Sequence, residues 1–245
     1  MKSLMIILSF YITSFSYGQI NTEAMRDNNR ILGLHHKLNM SFSYISGNSE
    51  FIMFHGNYRL DYHSKQKWHG FVIINHDRAH EKSEKEFNNR GFAHLRALHH
   101  WKPKIHLESF LQKEFNHFLN LENRELLGFG MRMHPMNELY VGIGLMNEVE
   151  LYQSSPKEHV NLKSTNYINH SFKMNEMIDI QNVLYYQFIS ANIEHYRILW
   201  DGNLNIKASN SISFHMNLNY RYDISDINPT GDSYFEITNG LGFSF

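Results

Sequence analysis

Ile212-Ser213-Phe214-His215-Met216-Asn217-Leu218-Asn219-Tyr220-Arg221-Tyr222-Asp223 alternates without a break. Its even positions are apolar or aromatic, and its odd positions are polar or charged. Side chains of an extended chain point to opposite faces in turn, so this spacing makes a strand with one greasy side and one wet side. A helical period would scatter the same residues around the axis. The pattern repeats upstream, where Tyr196, Ile198, Trp200, Leu204 and Ile206 oppose Arg197, Asp201, Asn203, Asn205 and Lys207. It repeats downstream too, with Phe235, Ile237, Asn239, Leu241, Phe243 and Phe245 against Tyr234, Glu236, Thr238, Gly240, Gly242 and Ser244. Leu139, Val141, Ile143, Leu145, Val149 and Leu151 make a further apolar face, opposed by Tyr140, Gly142, Gly144, Glu148 and Glu150.

Extending the count along the chain predicts an all-β protein of about twelve strands, with ten or fourteen as the alternatives. They fall near 30–46, 50–63, 67–79, 88–101, 104–118, 121–134, 138–152, 160–174, 177–189, 194–207, 210–224 and 232–245. The connections at 63–67, 101–104, 134–137 and 207–210 are tight, whereas those at 79–88, 153–160 and 225–232 are longer and more polar. No linker or break in composition divides the chain, which reads as one domain.

The composition of the 245 residues, 42% hydrophobic and 19% charged, is too apolar for a disordered chain. Lys plus Arg number 23 against 24 Asp plus Glu, so no basic field exists to gather nucleic acid. Cysteine is absent, which removes disulfides, thiolate metal sites, cysteine nucleophiles and a lipid-modified cysteine together.

The N-terminus carries an address. Lys2 is followed by the uncharged run Leu4–Phe15 and then by Ser16-Tyr17-Gly18, the pattern of a secretory signal peptide over residues 1–18. Residues 19–29 then read as a short periplasmic segment and 30–245 as the strand-rich domain. Beyond the leader no apolar run approaches the ~20 residues of a membrane helix. Any membrane crossing must therefore be made by strands.

A soluble β-fold and a membrane barrel write the same alternation. Strand length separates them. Soluble strands cluster at about 5–6 residues, while tilted strands crossing a bilayer need ~9–11, which these supply. Because lipid tolerates no open sheet edge, such a sheet must close. The expected architecture is a single up-and-down antiparallel transmembrane β-barrel, both termini periplasmic. Tyr185, Tyr186, Tyr220, Tyr222, Trp68, Trp101 and Trp200 are the candidates for interfacial aromatic belts.

The final strand, Glu236-Ile237-Thr238-Asn239-Gly240-Leu241-Gly242-Phe243-Ser244-Phe245, resembles the signal by which outer-membrane barrels are recognised by the barrel-assembly machinery. Phe243 and Phe245 carry that likeness. A wider resemblance rests on Ser41-Phe42-Ser43-Tyr44-Ile45-Ser46-Gly47-Asn48-Ser49, His94-Leu95-Arg96, Leu107–Asn116, Arg124–Arg132 and Leu218–Asp223. In that order these stretches resemble the salt-induced outer-membrane protein family, a domain of unknown function of Gram-negative bacteria. The resemblance implies an outer-membrane barrel and brings no catalytic residues.

If the apolar faces meet lipid, the other faces line a lumen. His94, Arg96, Glu108, Gln112, Glu114, Arg124, Arg132, Glu148, Arg197, Asp201 and Arg221 are the expected lumen-lining residues. A turn at Lys102-Pro103 would bring Arg96 near Glu108, and one centred on Leu119 would set Glu114 opposite Arg124. Gly128 and Gly130 would face Gly144 and Gly142, a bald patch that admits a bulky neighbour or leaves a hole. Such charges either pair to satisfy one another in a narrow interior or form a constriction that selects solutes.

No metal or cofactor is expected. Although histidines number seventeen, neighbours such as His35-His36 and His99-His100 point to opposite faces. No His-Glu-x-x-His or Gly-x-Ser-x-Gly occurs, so an outer-membrane hydrolase is the least favoured class. The expected partners are outer-membrane lipid, the assembly machinery and a small solute in the lumen. A narrow pore is placed ahead of a closed structural or stress-related barrel.

Overall fold

The computed structural model describes residues 21–23, 32–47, 50–81, 88–209, 211–224 and 232–243. The predicted leader at 1–18, most of the polar connection at 79–88, and Phe245 lie outside them. Twelve strands follow one another: β1 (Gly33–Ile45), β2 (Phe51–His63), β3 (Trp68–Glu81), β4 (Asn88–Lys102), β5 (Ile105–Asn116), β6 (Leu121–Met136), β7 (Leu139–Tyr152), β8 (Ser155–Lys173), β9 (Ile178–Ile189), β10 (Asn192–Lys207), β11 (Ile212–Asp223) and β12 (Asp232–Phe243). Each pairs antiparallel with the next in a single sheet of order β1 to β12, the up-and-down topology that the alternation predicts. A 3-10 turn at His117–Leu119, closed by Asn120 in the left-handed region, joins β5 to β6.

One expected loop is a strand. The polar stretch after Gln153 does not hang free: β7 and β8 are joined by Gln153 and Ser154 alone, and β8 runs for 19 residues from Ser155. Polar character there reflects the wet end of a long hairpin, and pairing with β7 down to Tyr152↔Ser155 satisfies its backbone.

The sheet curls until strands far apart in order meet through its interior. Tyr167 on β8 donates to Glu108 on β5 at 3.0 Å, and Arg197 on β10 donates to Glu148 on β7 at 2.9 Å. The inner face also carries two apolar clusters, Phe71, Ile73, Phe92 and Leu98, and Tyr167, Val183, Tyr185 and Leu199. The interior is therefore partly a packed core and not wet throughout. Tyr185 belongs to it, buried at 6% exposure, and not to an outer belt. Its neighbour Tyr186 faces out and meets the Tyr196 ring at a tilt, and Tyr196 in turn meets Tyr222.

Outside, the apolar faces are open. Leu127, Phe129, Ile143, Leu145, Phe235 and Ile237 are each more than half exposed in mid-strand. A water-soluble protein rarely leaves so broad an apolar surface bare, whereas lipid covers it at no cost. Among the described residues no ladder joins β1 to β12, and β1 is exposed on both faces from His36 to Ile45.

The glycine register differs from expectation by two residues. Gly130 faces Gly144, while Gly128 faces Met146 and Gly142 faces Arg132. The β6–β7 hairpin closes on Asn137-Glu138, with Glu138 at φ 88 and a bulge between Met133 and Met136 that spans Pro135. This moves the turn centre by one position. The bald surface admits bulky neighbours: the Phe110 ring lies where a Cβ on Gly128 would be, and the Tyr167 ring covers Gly142. Gly130 and Gly144 pack backbone to backbone, since a Cβ on either would stand 2.7 Å from a carbonyl oxygen of the opposite strand.

Candidate functional site: a charged lumen

Alternation along six strands brings the inward charges together. His94, Arg96, Glu108, Gln112, Glu114, Arg124, Arg132, Glu148, Arg197, Asp201 and Arg221 are all buried on the inner face. They fall into two tiers.

The first tier lies toward the end where β5 turns into β6 and β7 into β8. Glu114 pairs with Arg124, directly opposite on β6 as expected. Arg124 also donates through Nε to Glu150 Oε1 at 2.6 Å, and Arg197 reaches the same oxygen at 3.1 Å. Glu148 is fully buried and takes Lys163 and Arg197. Arg197 further binds Asp223 at 2.7 Å. Carboxylates and cations alternate across the interior, so each buried charge has an opposite neighbour, the condition under which burial is tolerable. Arg221 and Asp201 form a separate pair at 2.7 Å.

The second tier lies nearer the middle. Arg96 stands opposite Phe110, one diagonal step from Glu108, yet its long side chain reaches that carboxylate at 3.4 Å. Its Nε approaches His94 Nε2 at 3.3 Å; His94 Nδ1 meets Gln112 at 2.9 Å, and Gln112 donates to Glu114 at 2.5 Å, linking the tiers. Tyr167, set by its ring over Gly142, donates to Glu108 and accepts from Arg132 at 3.2 Å. The Arg132 guanidinium also lies 3.8 Å from the Tyr140 ring centre. A cavity of about 30 Å³ borders Arg96, Glu108, Tyr167 and Tyr185, room for roughly two waters.

One group in this tier comes from no strand. Of the 19–29 segment expected outside the barrel, the described part Asn21–Glu23 is buried within it. Thr22 Oγ1 accepts from Arg96 at 2.8 Å. The Glu23 carboxylate, wholly buried, pairs with Arg132, lies 3.4 Å from Arg96 and accepts from Asn169 Nδ2 at 3.0 Å. Sequence reasoning missed Glu23 because no periodicity marks it. It set Glu150 on the polar face without naming it to the lumen, gave Tyr185 to an outer belt, and passed over Lys163, Tyr167 and Asn169, which a strict count in twos would find: Glu150 follows Glu148, and Lys163, Thr165, Tyr167 and Asn169 share one face of β8.

Among the described residues, Asp61, His63 and His69 can offer ligand atoms within 4.8 Å of one another. Arg59 already forks onto Asp61 at 2.5 and 2.7 Å, and the two imidazoles stack at 3.9 Å between centres. A cation would enter only after both arrangements broke. Ser213 Oγ lies 2.8 Å from His215 Nε2 in an exposed position. A nucleophile also needs a base that a third group orients, and among the described residues no carboxylate is bonded to His215. Phe243 ends β12 opposite Ile212.

No curated protein matches the chain. Three solved structures are similar in outline. The NanC porin has 9% identity and a TM-score of 0.45, covering 86% of this chain and 99% of its own. A KdgM porin has 9% identity and a TM-score of 0.43 with the same coverage. The translocator domain of the autotransporter NalP from Neisseria meningitidis has 11% identity and a TM-score of 0.43, covering 91% and 92%. Likeness at this level carries no functional content. The sequence itself is more specific: residues 38–245 match the family described as "Protein of unknown function, DUF481", and the chain belongs to that family.

Proposed function

We propose that this protein is an outer-membrane β-barrel whose charged lumen passes small polar solutes. The observation that carries the reading is the origin of the groups closing the lumen at its middle tier. Thr22 and Glu23 belong to no strand, whereas Arg96, Arg132 and Asn169 around them are held by the sheet. A short segment bound by polar contacts can leave without unfolding a strand, and a polar, positively lined space between Arg96, Arg132 and Asn169 would remain, in series with the ion pairs of the first tier. The apolar outer face supports the membrane setting, with residues 1–18 as a cleaved leader, both termini in the periplasm, and Phe243 and Phe245 as the signal read by the assembly machinery.

The second reading is a closed structural barrel, made in response to salt or another stress. The two inner apolar clusters and the small central cavity favour it. Single-channel recording of the refolded mature chain, and of its Glu23→Gln variant, separates the two. Reproducible current steps from either protein support the pore. Silence from both, with folding confirmed by heat-dependent gel mobility, overturns it and leaves the closed barrel.

A further inference from the structure

Glu23 behaves as a ligand that happens to be attached. It lies 73 residues from Arg96 and 109 from Arg132 in the chain, and no strand positions it. Yet its carboxylate receives two guanidiniums and an amide N–H, at complete burial. Among the described residues, removing that carboxylate would leave Arg96 and Arg132 with Glu108 as their nearby anion, which binds Arg96 directly and meets Arg132 through the Tyr167 hydroxyl. Two buried cations would then share one anion. Such a site holds a standing demand for one further negative charge, and planar guanidiniums meet a carboxylate in preference to a spherical ion.

We propose that Arg96, Arg132 and Asn169 form a carboxylate-binding site in the lumen, occupied in this structure by Glu23, whose solutes are small molecules bearing a carboxylate. Tethering gives Glu23 a high effective concentration, so a solute competes by number or by added contacts in the adjoining cavity. The proposal deepens the pore reading, which supplies the route by which a solute arrives. It does not need conduction in order to be measured.

The test uses acetate as the probe on the full mature chain. Glu23→Gln removes the charge that seats the segment, so acetate meets a weaker competitor for Arg96 and Arg132. In that variant sodium acetate raises the thermal unfolding midpoint above the value in sodium chloride of equal ionic strength, because a ligand bound only by the folded state stabilises it. Neutral acetamide has no such effect, and adding Arg132→Gln abolishes the acetate response. An acetate effect no larger than that of chloride or acetamide overturns the site. Should Glu23→Gln not refold, Thr22→Cys keeps the carboxylate and introduces the sole thiol of the chain. Acetate then speeds its labelling by a maleimide several-fold as Glu23 is displaced, and a rate indifferent to acetate overturns the proposal. An acetate response in a barrel that never conducts leaves the site standing and removes the pore. Conductance without an acetate response removes the site alone.

Discussion

Arg197 donates to Glu148 at 2.9 Å, although the two lie on β10 and β7 with two whole strands between them in the sheet. Their meeting shows how strongly the sheet is curled at that level: side chains from strands three apart in the order of twelve touch through the interior. Each inward charge can thus find a partner across the lumen as well as along the sheet.

Glu148→Gln should be severely destabilising. It leaves Lys163 and Arg197 buried without their shared carboxylate, a loss of roughly 3–5 kcal/mol for a broken buried pair. Glu125→Gln removes the exposed outward pair with Lys113 and should cost less than about 1 kcal/mol. Urea unfolding in lipid vesicles compares the two. Equal effects would mean that the inner network contributes no more than a surface pair.

Tyr167→Phe keeps the ring over Gly142 and deletes the hydroxyl that bridges Glu108 and Arg132. A loss of about 1–3 kcal/mol is expected from leaving those groups short of a partner. Gly142→Ala should cost about as much by a different route, since its Cβ displaces the ring. The double variant tells whether the routes are one: if ring position and hydroxyl act together, its loss falls below the sum of the two.

A charge on the outer face tests the bilayer directly. Leu145 sits in the middle of β7 with its side chain open to the outside, so Leu145→Arg should cost about 2–4 kcal/mol in vesicles. Met136, at the end of β6, is also exposed, and Met136→Arg should cost about 0–1 kcal/mol. If the midpoints of both variants match the parent, the outer face meets water and the membrane setting is wrong.

The seam makes a prediction of its own. An unpaired strand edge is untenable in hydrocarbon, so β1 and β12 must join there. Hydrogen exchange in vesicles should find consecutive amides from Leu38 to Tyr44 protected. Protection of only every second amide, those that pair with β2, would show the edge to be open.

The strands themselves were legible because the period of two is a local property. Eleven of the twelve predicted strands lie within three residues of the observed ends, and β8 differs only because its polar start reads as a loop. Inward charges could be named from the same count, since a strand's face follows from any one residue whose side is known. Lys163, Tyr167 and Tyr185 obeyed the rule as well, and their polar or aromatic character on the wet face was signal enough.

What the sequence determined by itself is the set of faces: which side chains point outward and which inward, strand by strand, because side chains of an extended chain alternate. What the tertiary structure decided is distance across the interior. Curling the sheet brought β7 to β10 and β5 to β8, and seated Glu23 against Arg96 and Arg132. No periodicity encodes these meetings. They arise because buried cations in a closed space require anions, and the nearest anion in space need not be near in the chain.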